Sequence, residues 1–332
     1  MQLVKRLFLL MLAVLVLVGA AGCLWLQQAL PLPNAAQAVD LSIEPGLSAR
    51  SVADSVAAAG VQVNPSLLYA WFRLSGQARK IKAGSYEIEP GTTPYTLLQL
   101  LVQGQESLRT VTLVEGWTFN QFRAALAKAP DLRAKAQAQT PEDIMAQLGQ
   151  PGQYWEGRFF PDTYAYAKGS SDIAILKRAL HAMDKRLAAA WAQRSAGSPL
   201  KTPHDLLVLA SIVEKETGKG SDRPLVGGVF NNRLRIGMML QTDPTVIYGM
   251  GEQFDGNLRK RDLQTDTPWN TYTRGGLQPT PIAMPGAASL LAAVKPADTK
   301  ALYFVARGDG SSQFSATLDE HNRAVNKYQR GK

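Results

Sequence analysis

Cysteine is almost missing from this 332-residue chain, where Cys23 is the only one. No intramolecular disulfide can form, and beyond Cys23 there is no thiol nucleophile and no Cys-based zinc site. Histidine is scarce too. His181, His204 and His321 are the only three and lack metal-ligand spacing, so neither a metal nor another cofactor is expected. Charged residues make up 19% and hydrophobic residues 45%, a globular balance and not a disordered one. Several signature loops are absent: no G-x-S-x-G elbow, no H-E-x-x-H and no Walker loop. Gly218, Gly220, Gly227 and Gly228 do not match a dinucleotide fingerprint.

What is present begins with residues 7–26, LFLLMLAVLVLVGAAGCLWL, an uncharged run of the length that crosses a bilayer as a helix. Lys5 and Arg6 precede it, and the next basic residue is Arg50. That asymmetry puts residues 1–6 in the cytoplasm and everything after Gln27 on the far side. A cleaved signal peptide would have a shorter apolar core. A lipidation site at Cys23, which follows Gly22, would ordinarily have a large aliphatic residue where Ala20 stands. The net charge of +9 would suggest nucleic acid in a cytosolic chain. In an exported chain with scattered basic residues, it fits anionic lipid headgroups and an acidic wall polymer, and a solvated surface explains it almost as well.

The length predicts about two folded units. Residues 27–38, QQALPLPNAAQA, read as a spacer lifting the fold off the membrane. Residues 39–110 read as a compact αβ module. Ser48, Asn64-Pro65 and Thr93-Pro94 open helices in it, and Glu-Pro-Gly recurs at 44–46 and 89–91 between strand and helix. Residues 111–332 form a second, helix-rich unit. It holds a strand ending near Trp117, an Ala- and Gln-rich stretch at 131–148 expected to be helical, and a long amphipathic helix at about 172–194. Two short strands and a last helix through residue 328 close the chain. The fold class is α+β.

Chemistry concentrates between Thr202 and Gly251. Thr202-Pro203-His204-Asp205 is a helix start, and LLVLASIVEKET follows as a largely buried helix. Glu214 and Glu216 sit at opposite flanks of its apolar face. A carboxyl there meets apolar neighbours one turn earlier, and desolvation raises its pKa towards what a general acid needs. Periodicity serves Glu214 and Glu216 equally, and a helix-end glutamate paired with Lys215, Lys219 or Arg223 would look the same. Asn231, Asn232, Gln241, Thr242, Asp243 and Tyr248 then set neutral hydrogen-bonding groups among apolar ones, as sugar sites do. A loop at 266–279 adds Trp269, Asn270, Tyr272 and Arg274.

The strings EGRFFPDTYAY, ASIVEKET, FNNRLRIGMMLQTDPTVIYGMG and NTYTRGGLQPTPIAMPG resemble the YceG-like (MltG) endolytic murein transglycosylases over nearly the whole chain. The resemblance implies a single N-terminal transmembrane helix, a small LysM-like module and a C-terminal catalytic domain. It assigns the catalytic role to the first glutamate of the V-E-K-E segment, Glu214, and it implies a glycan groove lined by Gln241, Thr242, Asp243, Asn270 and Tyr272. The implied substrate is peptidoglycan glycan strands, cut in the periplasm by a protein of the inner membrane. Membrane-bound peptidoglycan synthases are the implied partners, and termination of strand elongation is the implied role. Nucleic acid is not an expected partner.

The implied reaction uses one carboxyl twice. Glu214 protonates the glycosidic oxygen between N-acetylmuramic acid and N-acetylglucosamine. It then takes the proton of the muramic C6 hydroxyl, which closes onto C1 and leaves a 1,6-anhydro end. Two competing expectations are a muramidase that adds water across the same bond, and a non-catalytic wall-binding scaffold.

Overall fold

The computed structural model describes residues 2–34, 37–44, 46–104 and 108–331. The chain opens with α1 (Gln2–Gln27). Its stretch Leu9–Gln27 has a mean hydropathy of 2.6 and is the one helix among the described residues long and apolar enough to cross a membrane.

The first compact unit comprises the described residues up to Arg109 together with Ala165–Gly169. It contains β1 (Val39–Ile43), α2 (Ala49–Ala58), α3 (Pro65–Leu74), β2 (Gly84–Ile88) and α4 (Pro94–Gln103). β1 and β2 pair antiparallel, from Val39 opposite Ile88 to Ile43 opposite Gly84. Strand alternation turns Leu41, Ile43, Tyr86 and Ile88 inward, where Val52, Leu68, Phe72 and Leu97 from the helices meet them. The caps fall where the sequence puts them: Ser48 accepts from the backbone of Ser51, Asn64 from Ser66, and Thr93 forms a capping box with Thr96. Of the repeated Glu-Pro-Gly, Pro45 lies outside the described residues, while Gly91 in the second copy takes a φ of 91°.

Residues 27–38 are not a free spacer where they are described. Leu30 and Leu32 are buried in this unit's core beside Trp25. The Leu30 N–H donates to Thr92 O at 2.8 Å, and Gln62 N–H donates to Pro31 O at 2.9 Å. Prolines 31 and 33 hold the backbone extended, so the alternate leucines face one way, and burying each is worth about 1.5–3 kcal/mol.

The second unit comprises Thr110–Tyr164 and the described residues from Ser170 onward. β3 (Leu108–Thr112) and β4 (Thr163–Ala167) straddle the division, and the elements wholly within this unit are α5 (Phe119–Lys128), α6 (Pro141–Gln147), α7 (Asp172–Trp191), α8 (Pro203–Glu216), α9 (Arg223–Arg235), α10 (Asp243–Met250), α11 (Lys260–Gln264), α12 (Ala287–Val294), β5 (Tyr303–Ala306), β6 (Ser312–Ser315) and α13 (Leu318–Gln329). β3 pairs with β4, and β5 with β6. The stretch 131–148 is only partly helical. Asp131 takes a φ of 58°, a single tight turn spans Ala136–Ala138, and a full helix begins only where Thr140 and Pro141 cap and open α6.

The core of this unit is α8, surrounded by α7, α9 and α12. Every residue from Leu206 to Val213 is buried. The polar one, Ser211, is satisfied at both ends: it donates to Val208 O at 2.7 Å and accepts from Ile282 N–H at 3.0 Å. α9 and α12 approach so closely that a Cβ on Gly227 would lie 2.2 Å from Ala292 O. The glycine thus serves close packing of two helices.

Candidate active site

The Thr202–Asp205 capping box and Pro203 fix the start of α8. Its last turn then carries Glu214 and Glu216 about 200° apart around the axis, so they face different surroundings. The Glu214 carboxylate, whose side chain is 6% exposed, accepts from Gly286 N–H at 2.8 Å and from Arg223 Nη2 at 3.4 Å. Gly286 is the N-cap residue of α12. Glu214 therefore joins the end of one core helix to the start of another, and its anion is held by a backbone donor and a guanidinium.

The segment Glu115–Trp117 packs against the same glutamate. A Cβ on Gly116 would come within 3.7 Å of Glu214 Cγ, and Lys215 Nζ donates to Gly116 O at 3.4 Å. This segment is laced to the one before α12: Gly116 N–H donates to Met284 O at 2.9 Å and Met284 N–H to Trp117 O at 2.8 Å. Glu115 is drawn beside Glu214 by these bonds. Its pKa is raised by burial first and by the charge of Glu214 second, with Arg223 opposing.

Glu216 faces a cavity of about 650 Å³ that four of the expected groove residues line: Gln241, Thr242, Asp243 and Tyr272. Thr242 Oγ1 donates to Glu216 Oε1. Burial pushes the Glu216 pKa up; the Thr242 hydrogen bond and Arg233 oppose this, and Asp243 adds to it. The Tyr272 hydroxyl donates to Asp243 Oδ1 at 2.6 Å, and burial raises its pKa as well. Gln241 holds a φ of 47°, which is costly for a residue with a Cβ, and its N–H donates to Thr271 O at 3.1 Å. Thr242 N–H donates to Thr271 Oγ1 at 3.1 Å, so the two loops of the cavity are fastened to each other.

Asn270 does not line this cavity. It is fully buried, with its amide donating to the carbonyls of Asp262, Leu263 and Thr265 at 3.4, 3.0 and 2.7 Å and its oxygen accepting from Tyr272 N–H at 2.8 Å. It holds the loop that carries Tyr272. Asn231 and Asn232 are likewise spent on backbone carbonyls, Gly227 and Ala293 for the first, Thr299 and Ala301 for the second.

Three groups here are not singled out by sequence patterns, Glu115, Glu156 and Arg233, whereas the Arg223–Glu214 pair is one of the ion pairs that the sequence left open. Glu156 is 3% exposed, accepts from Phe119 N–H at 2.9 Å and from the Tyr248 hydroxyl at 3.2 Å, and has its pKa pushed up to about 7 by burial. Tyr154 meets Tyr248 hydroxyl to hydroxyl at 3.1 Å. Arg233 donates to Leu302 O and Leu240 O, both at 2.7 Å, and lies over the Tyr303 ring. The one local signal available for Glu115 was its place before a glycine at a strand's end, here Gly116 at a φ of 75°.

The model of the YceG-like family matches residues 41–327. A Bacillus subtilis (strain 168) protein named endolytic murein transglycosylase is 30% identical, over 87% of this chain and 84% of its own length. A protein of the same name from Streptococcus pneumoniae serotype 2 is 28% identical over 96% of this chain, which spans 64% of that longer protein. The crystal structure of a YceG-like protein from Listeria monocytogenes is similar at a TM-score of 0.56 and 28% identity, covering 86% of this chain and 99% of the other.

Proposed function

This chain belongs to the YceG-like family, and from that premise we propose that it is an endolytic lytic transglycosylase of peptidoglycan. It cleaves the β-1,4 bond between N-acetylmuramic acid and N-acetylglucosamine within glycan strands and leaves 1,6-anhydro ends. The observation that carries the reading at the level of chemistry is Glu214, whose carboxyl stands at the end of a buried helix and is oriented by Gly286 N–H and Arg223. Glu214 acts first as acid on the glycosidic oxygen and then as base on the C6 hydroxyl, so no water and no nucleophilic carboxylate are consumed.

In this reading Gln241, Thr242, Asp243 and Tyr272 bind glycan in the cavity beside Glu216, and Asn270 keeps their loop in shape. Hydroxyls and an amide set beside the charged Glu216, Asp243 and Arg233 in an open cleft suit the hydroxyl groups of a sugar polymer. The unit from about residue 39 to 110 is a LysM-like glycan-binding module. α1 is a single-pass anchor in the inner membrane with the N-terminus cytoplasmic and the catalytic domain periplasmic. There the enzyme ends the growth of nascent strands beside membrane-bound synthases.

The test is digestion of purified glycan strands by the full chain in detergent, read by mass spectrometry. Anhydro-ended products, lighter by one water than hydrolytic ones, are expected. Water-added products would make the protein a muramidase, and no products would leave a wall-binding scaffold.

A further inference from the structure

The first unit exposes a row of apolar side chains along α3. Leu67, Ala70 and Leu74 fall at i, i+3 and i+7, on the face opposite the core residues Leu68 and Phe72. Leu74 is 84% exposed, more than any other large hydrophobic residue among those described, and Leu67 is half-exposed. At one edge of this face Trp71 packs on Tyr95 with ring centroids 6.4 Å apart, and Tyr95 is half-exposed as well. Single exposed leucines are ordinary, but a row of them on one helix face marks a surface that meets something apolar.

The other edge is basic. Arg73 of α3, Arg50 of α2 and Arg79 line a groove of about 340 Å³, in which Arg50 lies over the Tyr69 ring at 5.7 Å. No carboxylate is among the residues that line it, and α3 itself has no acidic residue. Asp54, one turn beyond Arg50 on α2, is exposed and does not line the groove. None of the three guanidiniums is paired with a carboxylate among the described residues. Three like charges around one groove repel one another, and an anion between them relieves this.

The place of this face in the unit says which anion. Trp71 Nε1 donates to Pro94 O at 3.1 Å, and two residues earlier Thr92 O accepts the N–H of Leu30, three residues past the end of α1. Two residues span about 7 Å, so the start of α4 brings α3 close to where the chain leaves α1. Trp25, in the last turn of α1, packs on the same core. Leucines on the outer face of a helix, aromatic rings at one edge and arginines at the other are the makeup of a helix lying in a membrane interface. We propose that α3 rests on the bilayer that α1 crosses, with Leu67, Leu74 and Tyr95 entering the headgroup boundary and the groove of Arg50, Arg73 and Arg79 holding phosphates of anionic phospholipids. This rests on the reading of α1 as a membrane anchor. Contact at both α1 and α3 fixes the tilt of the unit, which a single attachment leaves free.

The test uses the full chain carrying Cys23→Ser, reconstituted into vesicles of phosphatidylcholine alone or with about a third phosphatidylglycerol, and spin-labelled at Leu74→Cys. In the anionic vesicles the label should be open to oxygen and shielded from a water-soluble nickel complex. A label at Ser42→Cys, on the outer face of β1, should stay open to nickel. In Arg73→Glu combined with Arg79→Glu the ratio of docked to lifted label should fall about 25-fold, about fivefold for each arginine. High salt should reproduce the fall in the unaltered chain, which guards against a folding defect in the variant. A label at 74 as open to nickel as the one at 42, or docking indifferent to phosphatidylglycerol and to charge reversal, overturns the proposal. Shielding that appears only when glycan strands are added makes the face a glycan surface and overturns it too. Extraction with alkaline carbonate scores the anchor separately. A chain washed off the vesicles fails that reading, and flotation of the same chain with phosphatidylglycerol vesicles, lost in the double variant, then decides whether the arginine face binds lipid.

Discussion

Tyr248 donates its hydroxyl to the buried carboxyl of Glu156 at 3.2 Å, and the pair ties α10 to the segment that precedes β4. Burial raises the Glu156 pKa from its ordinary value of 4.5 to about 7. A carboxyl whose folded pKa lies above its unfolded one binds its proton more tightly when folded. Its contribution is whole below pH 4.5 and is lost as the pH climbs through about 7. Between those values the second unit should lose on the order of 3 kcal/mol from this group. Urea unfolding at several pH values should show that slope in the wild type and a flatter one in Glu156→Gln. Equal slopes would mean that Glu156 titrates normally.

Glu214→Gln should abolish strand cleavage, by about 10²-fold at least, since general acid–base catalysis contributes roughly 10²–10⁴-fold. The glutamine keeps an acceptor for Gly286 N–H, so the melting temperature should stay close to wild type. Activity within about tenfold of wild type would remove Glu214 from the reaction and turn attention to Glu216, which faces the cavity.

Asn270→Asp should cost more stability than Asn270→Ala. The alanine leaves three carbonyls without their donor, a loss of about 1–3 kcal/mol, while the aspartate aims an anion at the same three oxygens. Calorimetry of the two variants decides the order. Wild-type stability in both, with weakened glycan binding, would instead place Asn270 in direct contact with substrate.

Gly227→Ala should destabilise the second unit by about 1–3 kcal/mol, because its methyl group has to displace Ala292 O, 2.2 Å away. Gly218→Ala, with nothing within 4 Å, should be neutral. Denaturant midpoints compare the two, and equal midpoints would show that α9 and α12 can move apart freely.

Much of the fold was legible locally. The Thr202–Asp205 box, the Ser48, Asn64 and Thr93 caps and the apolar face of α8 are written into short spacings, and local hydrogen bonds enforce them. The site was less so. Two glutamates on opposite flanks of a helix are equivalent until their surroundings are known. Those surroundings are tertiary: Gly286 and Glu115 for one, Thr242 and Arg233 for the other. For Asn270 the sequence cannot separate two uses, because an asparagine that binds sugar and one that binds carbonyls, as here, use the same amide. Leu30 and Leu32 were hidden among prolines that read as linker, although an extended proline segment can dock its leucines as well as any strand.

If α1 is the bilayer anchor proposed above, those two leucines bear on how the protein meets its substrate. With α1 in a bilayer, at most the few residues between Gln27 and Leu30 lie between the membrane helix and the first unit's core, a reach of about 10 Å at full extension, and Trp25 of α1 itself packs on that core. So short an attachment to a bilayer would remove the third dimension from the unit's diffusion. It meets whatever lies within a thin sheet above the lipid and nothing farther out, so encounter depends on density per area of membrane and not on concentration in the surrounding volume.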